Sequence, residues 1–227
     1  MSQPRRHEIT RLEGFSDAVF GFALTLLVVS LEVPRSYADL MALMSGFLSF
    51  ACCFALLFWI WYEHNTFFRR YGLQDGVTTL LNGGLLFTVL FYVYPLKFMF
   101  DSMFARFLPP PSKDPIVGMA LWELGNASAV YGGGFMVLFL IFALLYYRAY
   151  RRRDDLALTP IEVFEAKAFD AHHLLSAGVG ALALVIALLG PIRWVFFSPM
   201  TFALMGPGHW WLGNHIERKR RVQHPPS

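Results

Sequence analysis

The chain has 227 residues, 56% hydrophobic and 15% charged, with a formal net charge of +3. A soluble domain carries about 25% charged residues, so this composition excludes an ordinary soluble domain, and the mild positive charge points to no nucleic-acid partner. The apolar residues lie in runs long enough to cross a hydrocarbon core, which takes ~20 helical residues; the fold class expected is all-α, a polytopic membrane protein with one domain over 1–227 and a basic tail over about 216–227.

Six apolar segments can be drawn in chain order, over about 14–33, 38–66, 76–104, 127–149, 168–190 and 192–215. Arg5 and Arg6 precede the first, as in a signal peptide, but no small-x-small cleavage site follows, so the run is read as a retained helix. From Ala18 to Leu31 its only polar side chains are Thr25 and Ser30, and Pro34 is expected to end it. The second segment holds the adjacent Cys52 and Cys53, read as packing residues because neighbouring thiols on a helix rarely pair, and it ends where Glu63, His64, Arg69 and Arg70 collect. The third ends near Tyr94-Pro95 or continues past it. The longest loop follows, stiffened by Pro109-Pro110-Pro111. Gly132-Gly133-Gly134 opens the fourth helix proper and would let another helix approach closely. Gly206-Pro207-Gly208 is expected to kink or break the sixth.

Orientation follows from Lys and Arg. With the N-terminus cytoplasmic, the inner side holds Arg5, Arg6, Arg11, Arg69, Arg70, Arg148, Arg151, Arg152, Arg153, Lys167, Arg218, Lys219, Arg220 and Arg221, against Arg35, Lys97, Arg106, Lys113 and Arg193 outside. Both termini are therefore expected to be cytoplasmic. No internal repeat, phosphate-binding glycine loop, nucleophile elbow, zinc-protease motif or T-V-G-Y-G filter occurs. No cofactor is expected, and enzyme activity has no constellation to carry it.

At about 100° per residue, Phe15, Ala18, Phe22, Leu26 and Val29 share a narrow stripe of the first helix, Thr25 stands at its edge, and Asp17 points away. From composition the stripe simply faces lipid or a neighbouring helix. Ser16 and Asp17, at the mouth of the run, have a plain reading as helix caps. The alternative is a polar network: a carboxylate at a membrane helix end needs donors, and Arg11, Trp61, His64 and Asn82 lie at the right depth to supply them. His172, His173 and His209 with Asp170 make a poor metal set, because consecutive histidines point to different faces. Trp194, Trp210, Trp211, Tyr146, Tyr147 and Tyr150 sit near helix ends, as interfacial anchors do.

The pattern Arg-x-x-x-Phe-Ser-Asp over Arg11 to Asp17 resembles the transmembrane protein 175 family, potassium-permeable channels of endolysosomes with single-repeat bacterial homologues. Trp61-x-x-His64-x-x-x-Phe68 resembles the family motif at the end of the second helix, and Leu80-Leu81-Asn82 is a weaker match at the start of the third. The resemblance implies a homotetramer in the cell membrane, a bacterial inner membrane, with the first helix lining the pore. It implies a constriction at Phe22, where the family carries Ile or Leu, continued by Leu26 and Val29, with Thr25 offering hydroxyls to a passing potassium ion. It implies that Arg11, Ser16, Asp17, Trp61, His64 and Asn82 support the pore helix. The rival is a small proton-coupled transporter using Asp17 and His64 as a relay.

Overall fold

The computed structural model describes residues 10–31, 33–104 and 121–223. Arg5, Arg6, Arg106, Lys113 and the triple proline lie outside the described residues, as do the last residues of the basic tail. Within them the chain forms α1 Arg11–Val29, α2 Tyr37–Ser45, α3 Phe47–Tyr71, α4 Gly76–Phe104, α5 Leu121–Arg151, α6 Pro160–Leu189 and α7 Met205–Gln223, with two 3-10 segments, Ile192–Phe197 and Pro199–Leu204, between α6 and α7 and short turns elsewhere.

α1 starts earlier than the hydropathy boundary because Thr10 builds a capping box. The Glu13 amide donates to Thr10 Oγ1 at 3.1 Å and the Thr10 amide donates to Glu13 Oε2 at 2.8 Å. Ser16 and Asp17 therefore lie in the second turn, and capping is not their role. The helix stops at Val29, before Pro34, with Ser30 as its C-cap. The expected second segment is two helices, because at Gly46 a short amphipathic α2 gives way to α3. Gly72, in the left-handed conformation (φ 57°), ends α3. α4 runs through Pro95 to Phe104, matching the predicted bounds. Thr159 and Glu162 form a second capping box, with Pro160 in the first turn, so α6 begins well ahead of its apolar run.

Among the described residues five helices, α1, α3, α4, α5 and α6, are long and apolar enough to cross a membrane. The sixth apolar segment is not one α-helix among the described residues. It leaves α6 at Gly190 and runs back along it. Val195 lies beside Gly125 of α5 near Ala187, Ser198 Oγ donates to the Ala183 carbonyl at 2.8 Å, Phe202 meets Phe135 edge-on at 5.0 Å, and α7 then brings Gly208 against Leu175 and His209 against His172. The steeper rise of 3-10 backbone, ~2.0 against ~1.5 Å per residue, lets few residues cover that distance.

α5 and α6 form the tightest pair. A Cβ on Gly132 would lie 2.8 Å from the Leu184 nitrogen, and one on Gly180 would lie 2.7 Å from the Met136 nitrogen. The bare backbones touch, as small residues permit in membranes. The three glycines sit inside α5, not at its start, and Gly134 receives the Tyr92 ring. At the opposite flank α1 packs on α3 and α4. The core between these groups is aromatic: Phe67, Phe68, Phe139, Phe142 and Tyr146 are all buried. Tyr146 is thus a core residue and no interfacial anchor, whereas Tyr147, Trp194, Trp210 and Trp211 are exposed. Cys53 is buried, Cys52 half-buried, and both are free thiols.

Candidate functional site

α1 shows two faces. Ser16, Phe20, Ala23 and Leu27 are buried against the bundle. Phe22 (56% exposed) and Val29 (69% exposed) look outward, as do Phe15, Ala18 and Thr25, while Leu26 is half-buried. On a 100° wheel the buried face is centred near Ser16 and Leu27, and Ala18 and Thr25 lie roughly opposite it. Thr25 is therefore central to the outward face, Phe22 and Val29 stand on one shoulder, and Leu26 is at the margin. Thr25 Oγ1 donates to the Gly21 carbonyl at 2.9 Å, which uses its proton inside the helix and leaves its oxygen lone pairs outward.

Behind this face lies a hydrogen-bond chain with one direction. Ser16 Oγ donates to the Leu12 carbonyl at 2.8 Å, so its oxygen accepts from Asn82 Nδ2 at 2.9 Å. Asn82 Oδ1 is then the acceptor for His64 at 2.8 Å, which fixes His64 as the Nε2–H tautomer. Ser16, His64 and Asn82 are all buried, and the chain ties α1, α4 and α3 together at one depth. Phe20 and Phe68 flank the imidazole at 5.4 and 4.6 Å, and His64 Nδ1 has no hydrogen-bond partner among the described residues.

Asp17 stands apart from that chain. It is exposed on the subunit, and Trp61 Nε1 donates to its Oδ1 at 2.8 Å. One residue beyond Ser16 is 100° round the helix, toward the edge of α3, so the carboxylate reaches Trp61 and not Asn82. Arg11 is also exposed and makes no hydrogen bond or ion pair with any described residue. The predicted residues thus separate into a buried triad (Ser16, His64, Asn82), an exposed carboxylate held by a half-buried indole (Asp17, Trp61) and a lone cation (Arg11).

The same end of the bundle carries ionic clamps that sequence reading missed. Arg148 grips Asp75 through Nε (3.0 and 3.2 Å) and Nη2 (2.7 Å), and Asp75 also caps α4 through the Val77 and Thr78 amides. Burial works to raise the Asp75 carboxyl, but the Arg148 and Thr78 hydrogen bonds hold it down to about 2. The Asp-x-x-Thr spacing before an apolar run is a legible N-cap signal; its arginine partner is not local. Arg70 pairs with Glu165 at 2.9 Å and stacks over Phe169. His172 and His173 do face differently. His172 Nδ1 meets His209 Nδ1 at 2.8 Å, while His173 lies among Phe139, Phe142 and Tyr146 with Glu63 3.8 Å away. No group of three metal-ligating side chains converges among the described residues.

The family described as endosomal/lysosomal potassium channel TMEM175 matches residues 11–92, the stretch holding α1, α3 and most of α4. A potassium channel of Marivirga tractuosa is 43% identical over 197 residues, spanning 82% of this chain and 78% of that one. A potassium channel of Chamaesiphon minutus is 26% identical, over 82% of this chain and 87% of its own. Among solved structures, a threonine-to-alanine variant of the potassium channel MtTMEM175, in complex with a nanobody fusion, superposes with a TM-score of 0.83 at 37% identity, covering 95% of this chain and 97% of that one. The TMEM175 homologue of Chamaesiphon minutus shares the fold at a TM-score of 0.57 and 22% identity. With a multi-pass helical bundle, the Phe-Ser-Asp helix at its edge and relatives alike over most of their length, the chain belongs to the TMEM175 family.

Proposed function

We propose that the protein is a passive potassium-permeable cation channel, formed by four copies around a central axis with the α1 helices innermost and both termini cytoplasmic. The observation that carries this reading is the outward face of α1. A membrane-crossing helix buries one side against α3 and α4 and leaves Phe22, Thr25 and Val29 exposed among the described residues. One subunit cannot enclose a pore with one helix; four can. Phe22, with Val29 and the margin residue Leu26, forms an apolar neck where an ion must shed water, and Thr25 oxygens offer the polar compensation available on that face. The Ser16–Asn82–His64 chain holds the neck in register from behind. Selectivity then comes from dehydration with modest polar help, weaker than that of a carbonyl filter. The relatives named as potassium channels support potassium as the permeant ion, and a bacterial inner membrane fits their bacterial sources.

One observation favours the second reading, a proton-coupled carrier: His64 keeps a buried nitrogen without a partner among the described residues, on the helix next to Asp17. Potassium flux into vesicles holding the purified protein separates the two. We expect flux that stays proportional to driving force across the accessible potassium range, with no counter-ion requirement. Saturable uptake that collapses when a proton gradient is dissipated would replace the channel by the carrier.

A further inference from the structure

α7 has a face that no described residue of another element covers. At about 100° per residue, Trp210, Trp211, Asn214 and Arg218 fall on one side, and all four are exposed; the indoles are 71% and 65% exposed. The other side carries His209, Leu212, Gly213 and Ile216, all half-buried, and it is anchored to α6. There His172 Nδ1 and His209 Nδ1 lie 2.8 Å apart, His209 Nε2 lies 3.0 Å from Ser176 Oγ, and Gly208 sits under Leu175. This anchorage sets the level of the helix. Glu165, which pairs with Arg70 of α3, lies on α6 about two turns from His172, toward the ionic end of the bundle. Trp210 and Trp211 therefore stand just inside the ionic layer, where indoles prefer to sit. Arg218, Lys219 and Arg220, all exposed, stand ~10 Å further along the axis.

A headgroup layer is ~5–7 Å deep on each side of the hydrocarbon core. Helical side chains lean toward the N-terminus of their own helix, which for α7 means back toward the indoles. A long Arg or Lys stem can snorkel along that direction, and a guanidinium offers the forked donors that a phosphate diester accepts. Glu217 sits at the edge of the face, and the cluster stays net positive beside it. We propose that the outward face of α7, from Trp210 and Trp211 to Arg218 with Lys219 flanking, binds the phosphate headgroups of anionic phospholipids. The indoles fix the depth in the interface and the cations select charge. This inference does not depend on whether the protein is a channel or a carrier.

The test uses the full chain in nanodiscs of equal phosphatidylglycerol and phosphatidylcholine, with native mass spectrometry counting the lipids retained. Retention in the wild type favours phosphatidylglycerol. Arg218→Gln with Lys219→Gln lowers that preference by roughly fivefold for each cation removed. The charge-matched pair Arg69→Gln with Arg151→Gln, which removes exposed cations elsewhere at the same end, leaves it within about twofold. Trp210→Ala with Trp211→Ala lowers retention of both lipids. Equal losses in the two cation pairs would overturn the proposal in favour of a diffuse field. No phosphatidylglycerol preference in the wild type, or its displacement by millimolar glycerol phosphate, would overturn it as well, the latter in favour of a soluble-phosphate site.

Discussion

Phe20 and Phe22 are two residues apart and meet opposite surroundings. Phe20 is 3% exposed and packs against His64 with its ring centroid 5.4 Å away, whereas Phe22 is 56% exposed on the outward face. Truncating the first opens a cavity in the support of α1, which costs about 3–5 kcal/mol for a buried Phe. Truncating the second widens the proposed neck at little cost to the fold. Widening admits water and lowers the dehydration cost for every cation, and sodium, with the tighter hydration shell, gains more than potassium. We predict that Phe22→Ala raises total current and reduces the potassium-over-sodium preference in a bi-ionic reversal potential, with thermal stability unchanged. Phe20→Ala lowers the unfolding temperature instead. Unchanged current and reversal potential in Phe22→Ala would move the narrow point elsewhere, to Leu26 first. At this scale the sequence was informative about faces and less so about centres. Helical periodicity separated Phe20 from Phe22, but it set Thr25 at the edge of the stripe. Only the burial of Ser16, Ala23 and Leu27 shows that Thr25 lies opposite the packed side. Arg11 and Asp17 carry charge in the sequence equally, yet neither joins the Ser16–Asn82–His64 chain, because Asp17 is turned 100° from Ser16 and Arg11, five residues earlier, about 140°.

Elements are held together here less by polar groups than by closeness. The α5–α6 pair depends on Gly132 facing Gly180, where an added Cβ on Gly180 would lie 2.7 Å from the Met136 nitrogen and 2.9 Å from the Gly132 carbonyl. Those contacts are with backbone, which cannot rotate away as a side chain can. Gly180→Ala must push two long helices apart along their whole contact and lose dispersion contacts throughout. Gly178→Ala, two residues away, meets open space and removes a helix-weakening glycine. We predict a lower unfolding temperature in detergent for Gly180→Ala and none for Gly178→Ala; equal behaviour of the two would mean that the close approach is not what holds the pair. The glycine run announced a close approach in sequence, but its partner on α6 was not legible, because contact between helices distant in the chain leaves no local pattern. Hydropathy placed α4 to the residue, since its apolar run and its helix coincide. It missed the break at Gly46 and the capping boxes at Thr10 and Thr159, which extend α1 and α6 into polar sequence. It also could not distinguish an apolar run that is one helix from the 3-10 segments that follow Gly190, since both bury the same residues. Tyr146 looked interfacial by its place near a helix end and is buried because α3 and α6 cover that end.

For the whole molecule, the position of α1 is what the proposed assembly rests on. It sits at the flank of the bundle, against α3 and α4, away from the α5–α6 pair. Its outward face therefore has room for other copies of the chain. Asp17 and Arg11 belong to that face or its border, both exposed, on positions about 120° apart around the helix. In a ring of α1 helices, opposite shoulders of adjacent copies meet, so the Asp17 of one copy can approach the Arg11 of the next while Trp61 steadies the carboxylate from within its own subunit. An interfacial ion pair of this kind, once desolvated, costs about 2 kcal/mol or more when one partner is removed, much of it the penalty of the charge left behind. We predict that the purified wild type has the mass of four chains of 25.9 kDa. Arg11→Ala and Asp17→Ala should each shift it toward smaller particles on dilution, by a factor of roughly 30 in dissociation constant. The double variant should be no worse than the poorer single, because the second substitution removes the orphaned charge. Mass photometry on a dilution series reads all four proteins. A wild type of one or two chains would remove the pore argument altogether, and additive losses in the double variant would show that the two charges act in different places.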